Sequence, residues 1–194
     1  MTTDFSRQAL TGLRLLLVLT LLLGVGYPAA VGLAARAFAD RADGQPVSTQ
    51  GRTVGSALLG QQFEGRTWFH SRPSASDYDS LASGPSNLGP SNPELIAAID
   101  QRRSEVARRE SVRPDQVPAD AVTASGSGLD PDISPAYARL QVPRVARERH
   151  LDPAAVQRLV DEHTSGRFLG VHGEPAVNVL ELNLAVRNAT ERAD

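Results

Sequence analysis

An α+β protein, with a single N-terminal transmembrane helix ahead of one mixed extramembrane domain, is what the sequence predicts. Leu15 to Ala35 is an apolar run of 21 residues without a charge. Three later segments each place a capping residue and a proline ahead of apolar residues at helical spacing. Shorter apolar runs, broken by Gly, Pro and Asn, lie around those helices and read as strands and turns.

At ~1.5 Å rise per residue, Leu15 to Ala35 covers the ~30 Å hydrocarbon core of a bilayer. Ala37-Phe38-Ala39 resembles a signal-cleavage site, and Arg7 and Arg14 would form its basic leader. The apolar run is longer than the ~7–15 residues of a signal core, so an uncleaved anchor is expected after a short segment, 1–14. Arg7 and Arg14 flank one end, and Arg36, Arg41 and Arg52 follow the other. Counting basic residues therefore does not orient the helix.

Residues 36–53 are expected to be a polar linker, and residues 54–190 the α+β domain. Gly55 to Arg72 reads as a hairpin or a pair of strands. Trp68 and Phe69 belong in the core, with His70 a hydrogen-bonded core or rim residue rather than a ligand. In Ser71 to Pro93, 15 of 23 residues are Ser, Gly, Pro or Asn, a long loop of the kind that carries function or disorder. Asn92-Pro93 opens a helix with Leu95, Ile96, Ile99 and Val106 on one face. Ser134-Pro135 opens a second, which Pro143 should kink or end. Asp152-Pro153 opens a third, with Val156, Leu159, Val160 and His163 in one stripe and Gly166 as its stop. The tail sequence VNVLELNLAV fits an alternating strand or a helix capped at Asn178; the helix is preferred.

The chemistry is bounded more by exclusion than by motif. All 20 basic residues are arginine. Without lysine there is no Walker A loop, and the chain is not an ATPase by itself. A formal charge of −2 gives no global field for nucleic acid. The uniform use of arginine reads as codon bias, which weakens any reading of single arginines as phosphate ligands. Cysteine is absent. His70, His150, His163 and His172 form no helical i,i+4 pair, so no metal site is expected. A nucleophile elbow at Ser127 would need glycines where Ser125 and Leu129 stand. Asp130 and Asp132 could pair as acid and base, but aspartates in such loops usually cap turns or helices. Ser83-Gly84-Pro85-Ser86-Asn87 could present backbone N–H groups to an anion, with a simple turn the favoured reading. No catalytic constellation emerges, which points to a binding or assembly subunit.

Seven stretches in this order are more specific than any one motif: GVGYPAAV, GSALLGQQF, WFHSRPSA, SNLGPSNPEL, VTASGSGLDPDISPA, QVPRVA and GEPAVNVLELNLA. Together, from about Leu15 to Ala185, the chain resembles the C subunits of the Kdp potassium-transporting P-type ATPases. The resemblance implies a non-catalytic subunit needed for assembly of the high-affinity potassium uptake complex. Its partners would be a channel-like potassium-binding subunit, a P-type ATPase subunit and a small peptide subunit, together with membrane lipid. It also implies a catalytic chaperone role, raising the ATP affinity of the hydrolysing subunit, with no tightly bound cofactor. The family's Ser-Gly-Gly-Ser segment has been likened to the ABC signature; here it is Ser83-Gly84-Pro85-Ser86. Ser83, Gly84, Ser86 and Asn87 are thus the candidate nucleotide contacts, although Pro85 removes a backbone donor. Ser125, Gly126, Ser127, Gly128, Asp130 and Asp132 form a candidate docking loop, whose aspartates could also face arriving cations. The family's topology puts the N-terminus in the cytoplasm and the domain outside the cell membrane, away from cytoplasmic ATP. The alternative is a stand-alone membrane-anchored extracytoplasmic hydrolase using Ser127 or the Asp130/Asp132 pair.

Overall fold

The structure, a computed structural model, describes residues 2–193. It divides into a unit up to Gln45 and a unit from Pro46 onward. In the first, α1 (Thr2–Leu21) and α2 (Tyr27–Ala35) are joined by a π-helical stretch, Leu22–Gly26. The widening has a local cause. Pro28 offers no N–H to the carbonyl of Gly24, and its ring needs room there. A 3-10 turn, Arg36–Phe38, and α3 (Ala39–Ala42) follow. From Asp4 to Ala42 the chain is long and apolar enough to cross a membrane. Leu16, Leu23, Val25 and Leu33 are all exposed. A helix apolar all round needs lipid or protein about it.

The second unit begins earlier than the sequence implies. Part of the expected linker is a hairpin of β1 (Pro46–Thr49) and β2 (Arg52–Ser56), paired antiparallel with Thr49 opposite Arg52. The turn between them puts Gln50 and Gly51 at φ 50° and 75°. Two consecutive positive φ values suit the right-handed twist of the flanking strands. Gln-Gly lacks the Asn or Asp that usually announces this turn, so the sequence hides it.

The strands expected within Gly55 to Arg72 are, beyond Ser56, an irregular extended segment. Its backbone is satisfied by side-chain amides instead of a neighbouring strand. Phe69 N–H donates to Asn183 Oδ1 at 2.8 Å, and Asn183 Nδ2 donates to the Phe69 carbonyl at 2.9 Å. Gln141 does the same for His70, accepting from its N–H at 2.8 Å and donating to its carbonyl at 3.1 Å. Phe69 is fully buried by this arrangement. Trp68 is half-buried beneath the Arg149 guanidinium, 4.0 Å from its ring centre.

Four helices and a small sheet build the rest. In α4 (Pro93–Glu110), α5 (Pro135–Glu148) and α6 (Pro153–Glu162), the side chains of Asn92, Ser134 and Asp152 accept the capping N–H bonds. Pro143 neither ends nor breaks α5: it stands exposed, as does Arg139, whose carbonyl loses a donor. That carbonyl can turn to water. α6 stops at Glu162, before Gly166, because His163 Nδ1 and Thr164 Oγ1 bond the carbonyls of Leu159 and Val160. The tail combines both readings: β5 (Ala176–Asn178) leads directly into α7 (Val179–Ala193). Asn178 accepts from Glu181 N–H at 3.2 Å. β5 is the centre of an antiparallel sheet, between β3 (Asp132–Ile133) and β4 (Thr164–Ser165). The core joins α5, α6 and α7 through Tyr137, Val145, Val156, Val160, Leu182 and Val186, with Phe69 and Val177 laid across them.

Candidate functional site

The two glycine-rich loops that the sequence presents separately are one structure. Gly84 N–H and Ser83 Oγ both donate to the Ser127 carbonyl, each at 2.9 Å. Ser74 Oγ donates to the Gly128 carbonyl at 2.7 Å, and Ser125 N–H to the Pro73 carbonyl at 3.0 Å. Gly60 N–H closes the other side on the Leu129 carbonyl at 2.7 Å. Gly128 has φ 70°, and a Cβ there would lie 2.5 Å from Ser76 Oγ and 3.1 Å from the Gly84 carbonyl. Its glycine is therefore required by packing within the chain. Gly126 differs: it is exposed, and a Cβ added to it would meet open space.

The aspartates are anchored by the same loops. Asp130 Oδ2 pairs with Arg72 Nη1 at 2.8 Å, while its Oδ1 accepts from Asp132 N–H at 3.0 Å. Tyr78 holds Arg72 in turn, its hydroxyl donating to the Arg72 carbonyl. Burial, then the neighbouring Asp130, raises the Asp132 carboxyl above its usual range. Ser127 Oγ accepts from Leu129 N–H at 3.0 Å and so closes a turn. Of the candidate nucleotide contacts, Gly84 has its N–H committed to Ser127, and Ser86 Oγ accepts from Leu88 N–H at 3.5 Å. Ser83, Ser86 and Asn87 stay exposed, with Asn87 at φ 56°. Loop 83–87 and loop 125–132 thus share one ridge.

The chain matches the family model described as KdpC, K+-transporting ATPase, c chain, over residues 9–188. This chain belongs to the KdpC family. It is 55% identical to a potassium-transporting ATPase KdpC subunit of Kineococcus radiotolerans, over 96% of both chains. It is 46% identical to the one of Streptomyces avermitilis, over 95% of both. Against the one of Mycobacterium bovis the identity is 48%, over 93% of this chain and 97% of the relative.

In this KdpC-family chain the residues least visible from sequence are a polar cluster around the buried Arg144 and Glu110. Arg144 is 1% exposed, and its Nε donates to both Glu110 carboxylate oxygens, at 3.1 and 2.8 Å. Its Nη1 donates to the carbonyls of Arg66 and Trp68, and its Nη2 to Gln141 Oε1 at 2.9 Å. Arg109 adds a second guanidinium to Glu110 at 3.0 Å and donates to the Tyr137 hydroxyl at 3.1 Å. Burial, followed by Arg109 and Arg144, pushes the His70 ring down to about 3. His70 is a rim histidine whose ring bonds to the backbone of Phe63 and Gly65, as the sequence suggested, while its Nε2 is buried with no partner of good geometry. A charged residue inside α4 or α5 reads as part of a solvated face; the one available signal was that Arg144 and Glu110 fall on the apolar stripes.

Also unforeseen is an exposed apolar tip. Phe168 and His172 bridge across a turn that leaves Phe168, Leu169 and Val171 71%, 79% and 71% exposed. Adjacent exposed apolar side chains of this kind mark contact surfaces.

Proposed function

We propose that this chain is the non-catalytic, membrane-anchored subunit of a potassium-transporting ATPase complex, required for assembly with the channel-like, ATP-hydrolysing and small peptide subunits. The observation that carries the reading is the family match across residues 9–188, with relatives named as potassium-transporting ATPase subunits aligned over nearly their whole length. The apolar helix serves as the anchor, with the N-terminus cytoplasmic and the domain extracytoplasmic. The joined ridge of loops 83–87 and 125–132 is the docking surface, with Gly126 and Ser127 at its exposed edge and the Phe168–Val171 tip as a second contact. Any rise in ATP affinity is transmitted through the partner subunits, at the ~1–3 kcal/mol usual for coupling between distant sites. The commitment of Gly84 N–H to Ser127 and the proline at 85 support this indirect route over direct nucleotide contact.

The hydrolase alternative has less support. Ser127 Oγ closes a turn and Asp130 is held by Arg72, so neither is poised as a nucleophile or free base. Gly126→Arg tests the docking surface, because the added side chain meets open space within the chain. Co-purification with the partner subunits should fall while the thermal unfolding of the chain stays unchanged. Full complex recovery with the variant would remove this ridge from the interface.

A further inference from the structure

An all-arginine set of basic residues gives the number of arginines little meaning, but their convergence is another matter. A cavity of about 250 Å³ lies between the irregular segment, α4 and α5, and three guanidiniums line it: Arg72, Arg102 and Arg109. At about 30 Å³ per water it is too large for a single buried solvent molecule and roomy enough for a phosphate or carboxylate group with part of its carrier. It is separate from the exposed edge of the docking ridge.

We propose that this cavity binds a small oxyanion, a phosphate or carboxylate, between Arg72, Arg102, Arg109 and His70. Donors remain over after the internal bonds are made. The hydrogen bond of Arg102 within the chain is Nη1 to the Val122 carbonyl at 3.2 Å, leaving most of its five N–H groups. Arg72 Nε and His70 Nε2 are both buried without partners. A buried polar atom left unsatisfied is destabilising, a penalty that a bound anion or ordered water relieves. The charge balance favours the anion. On the lining itself three guanidiniums face one carboxylate, Glu105; Asp130 and Glu110 pair with Arg72 and Arg109 from outside it, and Asp120 bears on Tyr137. Glu105 is itself held by Gln101 Nε2 at 2.9 Å. Tyr137 stays protonated, pushed up to about 12 mainly by burial, so its hydroxyl is kept as a donor. Burial does most to keep the His70 ring neutral, and the charges of Arg109 and Arg144, which add to that effect, would also favour an oxyanion beside it.

The test uses the full chain in detergent, with inorganic phosphate and succinate as separate probes. The His70 ring resonances are followed by NMR, and affinity by calorimetry. At least one anion should shift the His70 resonances saturably and move their titration upward. Arg102→Gln should weaken binding by about tenfold or more, the effect of losing a charge-assisted contact. Glu105→Gln, which removes a repelling carboxylate, should tighten it several-fold. Opposite signs from two substitutions one helical turn apart separate a charge effect from damage to the fold. His70 resonances indifferent to both anions would mean that the cavity holds water alone and would overturn the proposal. Saturable binding unaffected by Arg102→Gln would place the anion elsewhere and overturn it equally.

Discussion

Replacing Asn183 by alanine tests how a segment without strand partners is held through the core. Asn183 is 1% exposed, and its amide satisfies both backbone groups of Phe69, which is fully buried. Asn183→Ala strands one N–H and one carbonyl where no other partner is at hand. Each stranded group costs about 1–3 kcal/mol, so the loss should reach about 2–6 kcal/mol before water enters the gap. Against a typical domain stability of about 5–15 kcal/mol that is a large fraction. The chain's one tryptophan, Trp68, adjoins the clamped residue and reports the transition by fluorescence. In urea, the midpoint should fall at unchanged m-value, the sign of lost native stability without a change in exposed surface. Asn188→Ala, at an exposed position of the same helix, controls for helix propensity and should stay within about 0.5 kcal/mol. A loss below about 1 kcal/mol for Asn183→Ala would show that the clamp does not hold Phe69.

Two further outcomes follow from His70 and from topology. Because the folded His70 ring is depressed to about 3 while the unfolded ring titrates near 6.5, the unfolded chain binds the extra proton in that window. Its contribution to stability is complete above about pH 6.5 and is lost as pH falls toward 3; His70→Gln should flatten that part of the stability–pH curve, and an unchanged slope would refute the buried neutral ring. The chain has no cysteine, so an exposed Ser48→Cys in β1 gives a single thiol. An impermeant maleimide should label it in intact cells, and labelling only after lysis would reverse the proposed orientation.

The helices were legible because their starts are written locally. Asn92, Ser134 and Asp152 each stand before a proline, and each side chain caps the helix it announces. The strands were not, because β3, β4 and β5 are two or three residues long and carry no period to read. The hairpin at Gln50-Gly51 and the clamps on Phe69 and His70 were hidden for different reasons. The turn uses an uncommon residue, whereas Asn183 lies 114 positions from the backbone it satisfies. The loops at 83–87 and 125–132 were visible as loops, but nothing in the spacing says that Ser127 accepts from Ser83 and Gly84. Nothing local marks the cavity-lining arginines of α4, because it is tertiary packing that brings Arg72 and His70 opposite them.

The most direct measurement is potassium-stimulated ATP hydrolysis by membranes that contain the partner subunits, with and without this chain. On the proposed role as a required non-catalytic subunit, deleting the chain should abolish the potassium-stimulated activity. Re-expression should restore it, while the purified chain alone hydrolyses no ATP above blank. Undiminished potassium-stimulated hydrolysis in membranes lacking the chain would contradict the assignment.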